Sequence, residues 1–168
     1  MIDDFDNNKG KGWEKFDFGN GNGFFKEKGG QFTIGMHKPT GQQFFVGAPH
    51  KEKTFTIEDG VTVEFSVDLI EANQSNAFLV LSFIPNGTPV SKLSGYSLAK
   101  YDPEIFLAKW LNKYFYDLTE GDWLDVPENI TLNLILIGRG KSVEVTTRLF
   151  DIENDNALVS EKTVIDTI

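Results

Sequence analysis

VTVEFSVDLI, residues Val61–Ile70, alternates apolar and polar side chains without a slip from Val61 to Leu69. Val61, Val63, Phe65, Val67 and Leu69 fall on one face, and Thr62, Glu64, Ser66 and Asp68 on the other. A period of two over these nine residues is a β-strand with one face on a core and one in water. Immediately before it stand Glu58-Asp59-Gly60, an Asp-Gly turn of the hairpin kind, with the short apolar-polar run KTFTI ahead.

Similar segments recur on both sides. QFTIGM (Gln31–Met36) and QFFVGA (Gln43–Ala48) are short candidate strands. NAFLVLSFIP (Asn76–Pro85) is apolar on both faces, as a central strand would be. SGYSLAKY and EIFLAKW flank the turn dipeptide Asp102-Pro103, and ITLNLILIG (Ile130–Gly138) and SVEVTTRLFD (Ser142–Asp151) flank the loop around Arg139-Gly140-Lys141. LVSEKTVID (Leu158–Asp166) follows. About a dozen strands with scarcely any amphipathic helix predict an all-β fold, and two antiparallel sheets packed face to face accommodate that number better than one. With no internal repeat and no Pro- or Ser-rich linker, residues 1–168 read as a single β-sandwich domain.

Composition agrees. The 168 residues are 40% hydrophobic, 24% charged and 13% aromatic, with 15 phenylalanines and 16 glycines against two methionines, which is globular and rich in strand and turn formers. The net charge of −9 and the presence of only two arginines, Arg139 and Arg148, argue against a nucleic-acid partner, which needs clustered cations. Cysteine is absent, so disulfides, thiolate metal sites and a cysteine nucleophile are excluded. The opening MIDDFDNNKGKGW has no apolar stretch of the signal-peptide kind. The longest apolar run, Ala77 to Pro85, is about half the ~20 residues a membrane helix requires, so membrane insertion is not expected.

Motifs of enzyme chemistry are weak. GRGKS (Gly138–Ser142) echoes the tail of a phosphate loop, but Ile135 stands where a glycine is required and a strand pattern follows instead of a helix. Sandwich glycosidases carry carboxylates at i, i+2 on one strand face; Glu64 and Asp68 are four apart, and Glu153 and Asp155 lie in a polar turn. His37 and His50 sit beside prolines in loop-like contexts and suggest neither a metal pair nor a triad base.

Two features point to ligands. The first is KWLNKYFYD (Lys109–Asp117), with Trp110, Tyr114 and Tyr116 around Asn112. Trp110 falls near a hairpin end, where an indole is seldom enclosed. An exposed row of rings suits a polysaccharide, whose C–H faces stack on aromatic faces while Asn, Asp and Lys bond its hydroxyls. Trp13 (KGWEK) and Trp123 (GDWLD), in polar neighbourhoods, would extend the surface. The alternative is that these rings cap the sandwich edges as partly exposed core. The second feature is acidic: DDFDNN opens the sequence and VIDT comes near its end, so pairing of the first and last strands would bring Asp4 and Asp166 together as oxygen ligands for calcium, although no local calcium-loop spacing is met.

DDFDNNKGKGWEKF, GGQFTI, TFTIEDGVTVEFSVDL, SGYSLAKYDPEIFLAKW and VIDT together resemble the concanavalin A-like, laminin G-like jelly-roll superfamily, in the form used by carbohydrate-binding modules and extracellular bacterial domains. The resemblance implies a jelly roll, a structural Ca2+ between first and last strands at Asp4 and Asp166, and a glycan site that would suit Trp110, Tyr114 and Tyr116. It also implies an extracellular or cell-surface location. The acidic triplet of the superfamily's glucanase branch is missing. The expectation is therefore a non-catalytic module, monomeric in isolation, that binds a polysaccharide by aromatic stacking. The alternatives are a polysaccharide hydrolase or lyase on the same fold, or a structural, protein-binding module.

Overall fold

The computed structural model describes residues 16–18, 23–28, 30–36, 45–47, 56–74, 77–81, 95–101, 104–111 and 114–167. Its contacts divide the chain into two units, Met1–Thr54 and Phe55–Ile168. In the first, strands β1 (Phe16–Phe18), β2 (Gly23–Lys28), β3 (Gln31–Met36) and β4 (Phe45–Gly47) form two antiparallel pairs, β1 with β4 and β2 with β3.

The second unit holds nine strands among the described residues: β5 (Thr62–Leu69), β6 (Ala77–Leu81), β7 (Gly95–Tyr101), β8 (Glu104–Leu111), β9 (Tyr114–Asp117), β10 (Asp122–Trp123), β11 (Ile130–Gly138), β12 (Ser142–Asp151) and β13 (Ala157–Thr167). The only helix among the described residues is one 3-10 turn at Ala72–Gln74, and none is long and apolar enough to cross a membrane. One sheet runs β13-β12-β11-β5. The other runs β10-β8-β7-β6, with β9 also paired to β8, and every described pairing is antiparallel. The all-β, two-sheet expectation holds. The segment 76–85 was expected to be central, but β6 pairs only with β7 among the described residues, at the end of its sheet.

The alternation that predicted the strands also builds the core. Val63, Phe65, Val67 and Leu69 of β5 are half-buried while Thr62, Glu64, Ser66 and Asp68 are exposed. Register places Val67 beside Leu132 and Val63 beside Leu136, and continues to Leu149 and Val145 on β12. Leu98, Ile105 and Leu107 of the other sheet pack against this face. Ile105, Leu107, Ile130, Leu136, Leu149 and Val145 are fully buried, each side chain worth ~1.5–3 kcal/mol relative to exposure. Strand β7 is different: six successive residues, Gly95 to Lys100, are buried, on both its faces.

The Asp59-Gly60 turn is present, with Val61 N–H donating to the Glu58 carbonyl at 3.0 Å and Gly60 at φ 78°. Among the described residues no strand leads into it, since residues 56–58 belong to none. It docks on the end of β11 instead: Gly60 N–H donates to the Gly138 carbonyl at 3.0 Å, and Gly138 N–H donates to that of Val61 at 2.9 Å. A Cβ on Gly138 would lie 1.8 Å from the Glu58 carbonyl oxygen, so this approach requires glycine. The GRGKS segment is a hairpin connection between β11 and β12, closed by Arg139 N–H donating to the Ser142 carbonyl at 2.9 Å.

Candidate functional site

The β8–β9 hairpin decides what the aromatic run can do. Its register pairs Leu111 with Tyr114, Trp110 with Phe115, Lys109 with Tyr116 and Ala108 with Asp117. Cross-strand partners share a face, so Trp110 and Phe115 stand on one side of the sheet and Tyr114, Tyr116, Lys109 and Leu111 on the other. The expected single row of Trp110, Tyr114 and Tyr116 is therefore not formed.

Trp110 is corrected on exposure as well. It is 7% exposed, its ring meets Phe115 edge-on at a centroid distance of 5.1 Å, and its indole N–H donates to Ser97 Oγ at 3.3 Å. Phe106 closes the group, edge-on to Phe115 at 5.4 Å. Ser97, Ala99 and Ala108, on the same side of β7 and β8, are buried with it. A ring enclosed on a carpet of small residues is packing, and offers no face to a sugar.

Tyr114 and Tyr116 are the reverse. They lie on the face that β8 buries through Ile105 and Leu107, both 0% exposed, yet they are 64% and 49% exposed, and Leu111 beside them is 47% exposed. The cover that the opposite sheet provides over β8 does not extend over β9. The two phenols, at i and i+2, form a ledge along this edge of the sandwich.

Behind the ledge lies a polar seam between the sheets. Lys109, cross-strand partner of Tyr116, places Nζ 2.5 Å from Asp166 Oδ2 on β13, and the Tyr96 hydroxyl of β7 donates to the same oxygen at 2.6 Å. Burial, the hydrogen bond to Asp166 and the charge of Asp166 together push the Tyr96 phenol well above the ordinary tyrosine range, so it stays protonated. Farther along β13, Lys162 pairs with Asp122 Oδ2 at 3.0 Å and donates to the Glu120 carbonyl. Strand β13 thus turns Lys162, Val164 and Asp166 inward, and the two charges reach across to the other sheet.

Asp166 is accordingly a partner of an ammonium and a phenol. Both contacts fall on Oδ2, where a calcium ion would compete with Lys109 and Tyr96, and Asp4, the other expected ligand, lies outside the described residues. Among them no three or more His, Asp or Glu side chains gather as a metal ion requires. Asp4, Trp13, Asn112, His37 and His50 lie outside the described residues. Trp123 falls in β10, opposite Glu104. Glu64 accepts from Asn133 Nδ2 at 2.6 Å and Asp68 from Thr131 Oγ1 at 2.7 Å, on the outer face of their sheet, as side chains of a wet surface do. Tyr96 and Lys109 are the residues that sequence reasoning passed over. The available signal was phase: Lys109 alternates with Ile105 and Leu107, and a charge on a core face requires a partner.

No protein-family model matches the chain, and neither does any curated protein or solved structure compared with it.

Proposed function

We propose that the second unit is a non-catalytic carbohydrate-binding module that holds a polysaccharide on the Tyr114–Tyr116 ledge. One observation carries this reading: two phenol rings lie on the same strand face, both open, over a seam that offers an ammonium and a carboxylate at Lys109 and Asp166. Pyranose rings stack their C–H faces on such phenols, and their hydroxyls accept from Lys109 and donate to Asp166. Trp110 has no part in contact; it stiffens the hairpin from the other side. In this reading the two antiparallel sheets are a jelly roll of the concanavalin A-like kind, and the module works outside the cell on a polymer at its surface.

A hydrolase or lyase built on Tyr96, Lys109 and Asp166 is less well supported. Tyr96 is 5% exposed, and its proton is held more tightly than in water, the opposite of what a general base needs.

The test is affinity electrophoresis through gels cast with neutral and acidic plant, algal and microbial polysaccharides, with the double variant Tyr114→Ala/Tyr116→Ala alongside. Retardation by at least one polymer, lost in the variant while its melting temperature holds, is the expected result. Retardation that survives in the variant, or none in any gel, would remove the ledge as a glycan site. Release of reducing ends or shortening of the polymer would move the assignment to an enzyme.

A further inference from the structure

Building on the glycan reading, we infer that the ledge takes an uncharged polysaccharide and that the Lys109–Asp166 pair turns acidic polymers away. A uronate-bearing polymer is held where Lys or Arg has charge to spare. Among the described residues on this side of the sandwich, two inward lysines are committed, Lys109 to Asp166 and Lys162 to Asp122, a third, Lys100, is 5% exposed, and the chain as a whole carries −9. The Lys109–Asp166 pair is also partly enclosed, its side chains 24% and 14% exposed, so its charges are less screened than surface ones.

A sugar carboxylate seated beside Tyr116 meets the Asp166 charge at close range. It gains Lys109 only by taking it from Asp166, which would then be a partly buried carboxylate without its cation. A neutral sugar faces neither cost. An ammonium carries three N–H donors, so Lys109 serves a hydroxyl oxygen with its ion pair intact, and the hydroxyl in turn donates to a carboxylate that is already ionised.

The experiment uses a soluble β-glucan, a galactomannan and a xyloglucan, each beside the same polymer after oxidation of part of its primary alcohols to carboxylates. Dissociation constants from affinity electrophoresis are compared for the wild-type chain, Asp166→Asn, and Glu161→Gln. The last makes the same change in net charge on the outer face of β13, the strand that carries Asp166, where Glu161 pairs with Arg148. The wild-type chain should hold a neutral polymer at least about tenfold more tightly than its oxidised form. Asp166→Asn should recover most of that gap, in a manner that salt weakens, and Glu161→Gln should not. If Asp166→Asn does not fold, the charge-free pair Lys109→Met/Asp166→Leu replaces it and should bind both forms alike. The inference is overturned if the wild-type chain holds the oxidised polymer as well as the neutral one, or if Asp166→Asn behaves like Glu161→Gln. No retardation by any polymer would remove the glycan reading itself, and this inference with it, a distinct and recognisable result.

Discussion

The two faces of the β8–β9 hairpin carry the same kind of side chain to opposite ends. Trp110 and Phe115 point away from the inter-sheet core, yet Trp110 is buried; Tyr114 and Tyr116 continue the face that forms the core, yet they are open. Which way a side chain points relative to the core therefore does not decide its exposure here. What decides it is how far each layer extends. Small residues at Ser97, Ala99 and Ala108 leave room for the Trp110 ring to be buried on its own sheet, whereas the sheet opposite leaves β9 uncovered. An aromatic cluster stiffens one face of the hairpin, and that leaves the other free to present rings without collapsing.

If this division is right, the largest effect in the hairpin comes from the ring that touches no ligand. Trp110→Ala should cost about 3–5 kcal/mol of unfolding free energy, the usual range for a buried Trp or Phe, measured by urea denaturation. Variant that remains folded at low temperature should still be retarded by glycan. A loss below ~1 kcal/mol would mean that the face is open after all.

Next in size is the seam that holds the inner face. Tyr96→Phe removes a hydrogen bond to a charged acceptor and should cost about 1.5–3 kcal/mol at neutral pH. The pH dependence has a definite sign. The folded-state pKa of Tyr96 lies above its ordinary value of 10.0, so its contribution is complete below that pH. At higher pH the unfolded chain loses the phenolic proton while the native chain keeps it, and stability falls by up to about 1.4 kcal/mol per pH unit until the folded group ionises too. Denaturation from pH 8 to pH 11 should show the gap between wild-type and Tyr96→Phe closing in the alkaline part. A gap constant with pH would mean that the phenol is not held in this way.

Much of this was legible in the sequence, for physical reasons that also mark where reading stopped. Thr62–Leu69, Ile130–Gly138 and Ser142–Asp151 became strands because period-two alternation is the imprint of a pleated surface with one wet side. The side to which Trp110 points, with Phe106 and Ala108, was legible too. Register across the reversal was the missing step: two residues separate Leu111 from Tyr114, and pairing those two puts Trp110 with Phe115 and apart from both tyrosines. Burial of Trp110 was not legible, because it depends on layers brought together only by folding. The Asp166 partners were hidden in the same way, contributed by β7 and β8 to a strand some sixty residues away. Alternation was the one signal available for Lys109, as a charge on a core face, and the sequence reading passed over it.

The smaller effects sharpen the contrast within a single strand. Phe115 is 38% exposed and lies edge-on to both Trp110 and Phe106, so Phe115→Ala should cost about 1–2 kcal/mol, part of a buried ring and two aromatic contacts. Its neighbours on either side, Tyr114 and Tyr116, should cost no more than about 0.5 kcal/mol each as alanine, since rings that are half open or more in the folded chain gain little on folding. Glycan retention should run in the opposite order, lost with the tyrosines and kept with Phe115→Ala. That reversal between adjacent residues is a demand that a merely structural hairpin would not meet. If stability and retention fell together at all three positions, the ledge would be one more edge of the core, and the open phenols would be left without a ligand to explain them.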